Sequence, residues 1–77
     1  MLKIDKEYLK TGVGLEITEQ EINDAIGFIE LGSTVAIEEY DFDGKDLFRH
    51  ENKMIVKQNS QLVAYIDLNE EKLYLIG

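Results

Sequence analysis

The apolar positions of this chain follow a helical period in one stretch and a strand period in most of the rest. Ile22, Ala25, Ile26 and Ile29 recur at three- and four-residue spacing, with Phe28 at the edge of the stripe and Gln20, Asn23, Asp24 and Glu30 turned away from it. That pattern belongs to a helix that buries one face. Thr18 stands three residues before Glu21, the capping-box spacing in which the threonine hydroxyl accepts from the later amide. Glu19 and Glu21 fall in the first turn, where the positive end of the helix dipole favours carboxylates. Gly32 follows the stripe and can adopt the left-handed conformation that ends a helix. Together these features predict one helix over Thr18 to Leu31.

Beyond Gly32 the chain reads as strands. Thr34 to Phe42 is rich in β-branched and aromatic residues, and Asp43-Gly44 is a preferred dipeptide for a tight hairpin. A two-residue loop there would pair Phe42 with Lys45, Asp41 with Asp46, Tyr40 with Leu47 and Glu38 with Arg49. The apolar phase shifts between Val35/Ile37 and Tyr40/Phe42, which predicts a bulge near Glu38-Glu39. Asn59-Ser60 would join Lys53–Lys57 to Leu62–Leu68, and Asn69-Glu70-Glu71-Lys72 would return the chain along Leu73–Ile76. Before the helix, alternation at Leu2/Ile4 and Leu15/Ile17 around Gly12 and Gly14 suggests a short strand or strand pair. The expected fold is a single α+β domain over residues 1–77. One amphipathic helix packs on a mainly antiparallel sheet of four to five strands ending in a three-strand meander.

Unbroken pairing through those turns would sort the side chains onto two faces. Ile55, Leu62, Ala64, Ile66, Leu68, Leu73 and Leu75 would form a core beneath the helix. Met54, Val56, Val63, Tyr65, Tyr74 and Ile76 would fill the other face, which a one-helix protein has little left to cover. Either residues 1–17 fold over that second face, or the sheet curls, or the face is a self-association surface of the Tyr- and Met-rich kind.

Charge changes the picture from fold to partners. The chain is 77 residues long with net charge −8, yet the window from Glu16 to Asp46 holds ten carboxylates against Lys45 alone, and the flanking segments nearly balance. Such a field governs encounter and solubility rather than fold. It disfavours direct nucleic-acid binding, which needs clustered Lys and Arg, whereas Arg49 is the sole arginine. Cysteine is absent, so no disulfide or thiolate site holds this small domain together. The residues from Met1 to Lys6 alternate charged with apolar and lack the continuous apolar run of a membrane span or secretory leader. The expectation is a cytoplasmic protein with no membrane partner. The Ile, Lys, Glu and Asn bias resembles that of AT-rich bacterial genomes and their phages.

Candidate chemistry is sparse. Residues 39–44 place Glu39, Asp41 and Asp43 at alternate positions before Gly44, the opening of an EF-hand loop. However, Asp46 stands where an apolar residue belongs, and His50 stands where the bidentate Glu belongs. At most, Asp41, Asp43 and Asp46 would form a weak divalent-cation site. His50 is the only histidine and neighbours Glu51, while Ser33 and Ser60 sit at expected turns, so no nucleophile-base-orienter set is visible. Gly12 and Gly14 lack the remaining glycine and the Lys-Ser/Thr of phosphate loops. The expectation is no catalytic residue, no cofactor and no resident metal.

What remains is a binding role. Glu30, Glu38, Glu39, Asp41, Asp43 and Asp46 could occupy a basic groove that otherwise receives a nucleic-acid backbone. The expected function is therefore a non-enzymatic acidic module that binds a protein with a basic surface, as an inhibitor encoded by a phage or mobile element would. The alternatives are an accessory subunit that homodimerises through Met54, Val56, Val63, Tyr65, Tyr74 and Ile76, and a weak cation-binding module.

Overall fold

A computed structural model describes residues 15–76, apart from the side chain of Leu31. The elements in chain order are strand β1 (Leu15–Glu16), helix α1 (Glu19–Gly27), strand β2 (Ile29–Val35), a 3-10 turn (Ile37–Glu39), and strands β3 (Asp46–His50), β4 (Lys53–Gln58), β5 (Gln61–Asp67) and β6 (Lys72–Ile76). They build a small α+β fold in which one helix lies on a mixed sheet of order β1-β3-β4-β5-β6-β2. The helix-on-sheet arrangement is the expected one, with more strands than anticipated. The expectations placed on Leu2, Ile4, Gly12 and Gly14 lie outside the described residues.

Thr18 caps α1 as its spacing predicts, its hydroxyl accepting from the Glu21 amide at 3.2 Å. The other end differs. The helix stops at Gly27, and the Phe28 amide donates to the Ala25 carbonyl at 3.0 Å in a tightened last turn. Ile29 then enters β2, so the helix ends four residues short of the Leu31 that the apolar stripe predicts. Gly32 has φ of +79° and serves an irregularity in β2. Ile29 pairs with Ile76 and Thr34 with Tyr74, so residues 30–33 bulge out of an otherwise regular antiparallel pair.

The meander β4-β5-β6 stands as read. Asn59 and Ser60 both adopt positive φ, at 53° and 64°, between the paired residues Gln58 and Gln61, the conformation of a type I′ turn. The register beyond that turn is not the expected one. Lys57 pairs with Leu62, but Val56 pairs with Ala64, so Val63 is the extra residue of a bulge. A one-residue slip moves every later side chain to the opposite face.

Both faces are therefore apolar and both are covered. Ile22 and Ala25 of α1 pack on Ile55 and Tyr65, joined by Phe48, Leu62, Tyr74 and Ile76. On the reverse side Met54, Val56, Ala64, Ile66 and Leu73 pack beneath Ile37 and Phe42 of the segment that crosses from β2 to β3. Ile26, expected in the core stripe, is 39% exposed, against 1% for Ile22.

The expected hairpin around Asp43-Gly44 does not form. The turn itself does, with the Lys45 amide donating to the Phe42 carbonyl at 3.1 Å and Gly44 at φ +73°. Its arms are not paired strands. β2 pairs with β6, and β3 pairs with β4 and, in parallel, with β1. The site of the anticipated bulge, Glu38-Glu39, lies in the 3-10 turn. The cause is burial: Ile37 and Phe42 must both point inward to close the second face, which a flat, outward-running hairpin would forbid.

Candidate functional site: the acidic crossing

The segment from Ala36 to Lys45 carries the densest charge and also closes a core, and these two roles are divided residue by residue. Ile37 is 1% and Phe42 4% exposed, so two anchors five positions apart pin the crossing to the sheet. The carboxylates between and after them reach water: Glu38, Glu39 and Asp43 are exposed, and Asp41 is half-buried. The crossing is stiffened locally. Tyr40 packs edge-on to Phe42 with ring centroids 4.9 Å apart, and the Asp41 carboxylate accepts from the Asp43 amide at 2.9 Å, an Asx turn that fixes the tip.

Lys45 is the only basic residue in the acidic window, and its ammonium is directed back onto the crossing. Nζ donates to the Asp41 main-chain carbonyl at 2.8 Å and lies 5.2 Å from the centre of the Tyr40 ring. The positive charge thus serves a carbonyl and an aromatic face, both within the loop. Burial, followed by the charge of Asp41, raises the Tyr40 phenol above its ordinary range, so the ring stays neutral beneath that ammonium.

The other two members of the acidic set lie apart from this tip. Glu30 is exposed on β2 at the sheet edge beside β6. Asp46 opens β3 directly opposite Lys57 of β4, and opposed residues share one face of a sheet. Phe48, two residues on, packs with the helix-side cluster, so Asp46 belongs to the helix side. Glu38, Glu39, Asp41 and Asp43 are thus brought together, whereas Glu30 and Asp46 flank them.

Among the described residues no group of three or more His, Asp or Glu side chains is arranged to hold a metal ion. Asp41, Asp43 and Asp46 are not gathered into a cage. His50 lies at the end of β3 and Ser60 at the β4-β5 turn, at opposite ends of β4, while Ser33 lies in the β2 bulge. Among the described residues neither serine is brought to the imidazole.

The six residues expected to form one self-association face divide between the two layers. Tyr65, Tyr74 and Ile76 lie on the helix side, while Met54, Val56 and Val63 lie beneath the crossing. The bulge at Val63 is the reason. Met54 and Val56 are wholly buried, so no exposed patch is made from the set.

Sequence reasoning missed the surface between the helix and the β4-β5 hairpin. There the Lys57 ammonium meets the Glu21 carboxylate at 3.4 Å and lies 5.0 Å from the Phe48 ring centre. The spacing of Glu21 and Asp24 puts them on neighbouring helical positions, but the contact of Lys57 with Glu21 spans 36 residues and leaves no mark in local periodicity. Among the described residues no helix is long and apolar enough to cross a membrane. No protein-family model, curated protein or solved structure matches this chain.

Proposed function

We propose that this chain is a non-enzymatic binding module whose acidic crossing docks on the basic, nucleic-acid-handling surface of a protein partner and acts by occupying it. The observation that carries this reading is the orientation of Lys45. The single basic residue of the window is held by Asp41 O and the Tyr40 ring, while Glu39 and Asp43 stay in water. A solubilising surface gains nothing from charge placed on an anchored, stiffened loop. A docking surface does, because a preorganised loop loses less conformational freedom on binding, and a concentrated field raises the encounter rate.

Occupying a nucleic-acid site makes a concrete demand: the chain and a nucleic acid must exclude one another. The test is capture of a partner from a bacterial extract at low salt, followed by competition with duplex DNA for the purified partner. Release of the chain by DNA and by raised salt is expected. Simultaneous binding of chain and DNA to the partner would defeat the reading. So would an unchanged association rate for a Glu39→Gln, Asp41→Asn, Asp43→Asn triple variant.

A further inference from the structure

The helix and the β4-β5 hairpin enclose an open groove of about 330 Å³ lined by Glu21, Asp24, Ile55, Lys57, Ser60 and Leu62. This volume lies at the small end of ligand clefts, sufficient for one long side chain. Its floor is apolar: Ile55 is fully buried and Leu62 half-buried. Its helix wall is anionic, with Glu21 and Asp24 at positions i and i+3, which project side by side from a helix. Lys57 is tied to Glu21, and Asp24 adds a second carboxylate to the rim. The balance at the rim is therefore negative, and it joins the groove to the acidic window.

We propose that this groove is an arginine subsite, receiving a single arginine side chain from the basic partner, and the inference rests on the docking function proposed above. The aliphatic stem would lie along Leu62, where a long cationic side chain keeps its carbons on apolar surface and its head in polar surroundings. The guanidinium would meet Asp24 and Glu21. Among the described residues each carboxylate shows one neutralising or polar contact, Lys57 Nζ on Glu21 Oε2 and Gln20 Nε2 on Asp24 Oδ1 at 2.9 Å, and an ionised carboxylate accepts about four hydrogen bonds. Two adjacent carboxylates suit the planar fork of arginine better than the point charge of lysine. Ser60, fixed in the left-handed region by the hairpin turn, adds a hydroxyl at the open end.

The experiment is a titration of the isotope-labelled full chain with Nα-acetyl-arginine amide and, separately, with its citrulline counterpart, followed by backbone amide shifts at low salt. Saturable shifts at Glu21, Asp24, Ser60 and Leu62 are expected with the arginine probe and not with citrulline. Asp24→Asn, an exposed position that leaves the core intact, should weaken the response by about two- to fivefold, the scale of one exposed ion pair. Equal shifts from citrulline, shifts centred on residues 37–46, or no saturable response would overturn the subsite. The two readings fail separately. Arginine seated in the groove while the crossing variant associates with the partner at the wild-type rate removes the docking function alone, and the reverse pattern removes the groove alone.

Discussion

The ammonium of Lys45 donates to the main-chain carbonyl of Asp41 at 2.8 Å across the tip of the β2-β3 crossing. The bond closes the loop through its only cation and leaves the carboxylates of Glu39 and Asp43 in solvent. Stability and the proposed docking therefore draw on Lys45 with opposite sign.

Lys45→Gln separates the two. Loss of the charge-assisted bond and the ring contact should lower stability by about 1–2 kcal/mol, read as a fall in the denaturation midpoint. The same change makes the window one charge more negative, so association with a basic partner should be as fast as wild type or faster. Slower association in stopped-flow mixing at low salt would show that the lysine contacts the partner directly.

The helix should be held unevenly by its apolar residues. Ile22→Ala should cost about 2–5 kcal/mol as a large-to-small change in a packed core. Ile26→Ala, at 39% exposure, should cost only about 1 kcal/mol of partial transfer. Thr18→Ala should cost about 0.5–2 kcal/mol through the lost cap. Chemical denaturation of the three variants checks the order, and equal losses at Ile22 and Ile26 would mean that the helix is rotated from the position described.

Opening the second face should create a new self-association surface. Phe42→Ala removes the anchor over Met54 and Val56 and should cost about 3–5 kcal/mol. Under conditions where it remains folded, the variant should bind a hydrophobic dye and sediment as dimers or larger species. A monomeric, dye-silent Phe42→Ala would show that the crossing does not need its aromatic anchor.

Alkaline pH should weaken the fold through Tyr65. Burial, then the charges of Asp67 and Glu70 and the neighbouring Tyr74, push its phenol from about 10 up to about 12. Its ring lies 5.8 Å from that of Tyr74, whose hydroxyl donates to Glu70 at 3.1 Å. The folded state holds the phenolic proton more tightly than the unfolded chain, so stability is intact below pH 10 and declines as pH rises from 10 toward 12. Melting at pH 9 and pH 11 should show the loss, and Tyr65→Phe should shrink it.

The pattern of the chain disclosed local structure far better than pairing. Thr18 and Glu21 marked the helix start and Asn59-Ser60 the hairpin, because a cap or a tight turn is decided by a few adjacent residues. Ile29 misled because it continues the helical stripe of Ile22 and Ala25 while also fitting a strand. Register escaped for a different reason. With both faces buried, β4 and β5 are apolar on either side, and alternation no longer says which residue faces which layer. Val63, an ordinary strand residue, carries no outward sign of its bulge. The acidic residues were legible as a window, but their division into a tip and two flanks depended on Asp43-Gly44 turning without forming a hairpin.

The sheet order also has a consequence for how the molecule assembles. Strands β3 to β6 are joined by short turns and pair with their neighbours in sequence, so their contacts can form after closing only small loops. β2 instead pairs with β6, since Ile29 meets Ile76, so the strand that leads into the acidic crossing is fixed only when that edge closes. During synthesis β2 leaves the ribosome well before its partner strand exists. The charge-dense loop is therefore expected to be among the last parts to acquire its shape, and a chain stalled before β6 would display the carboxylates without the last strand of the scaffold beneath them.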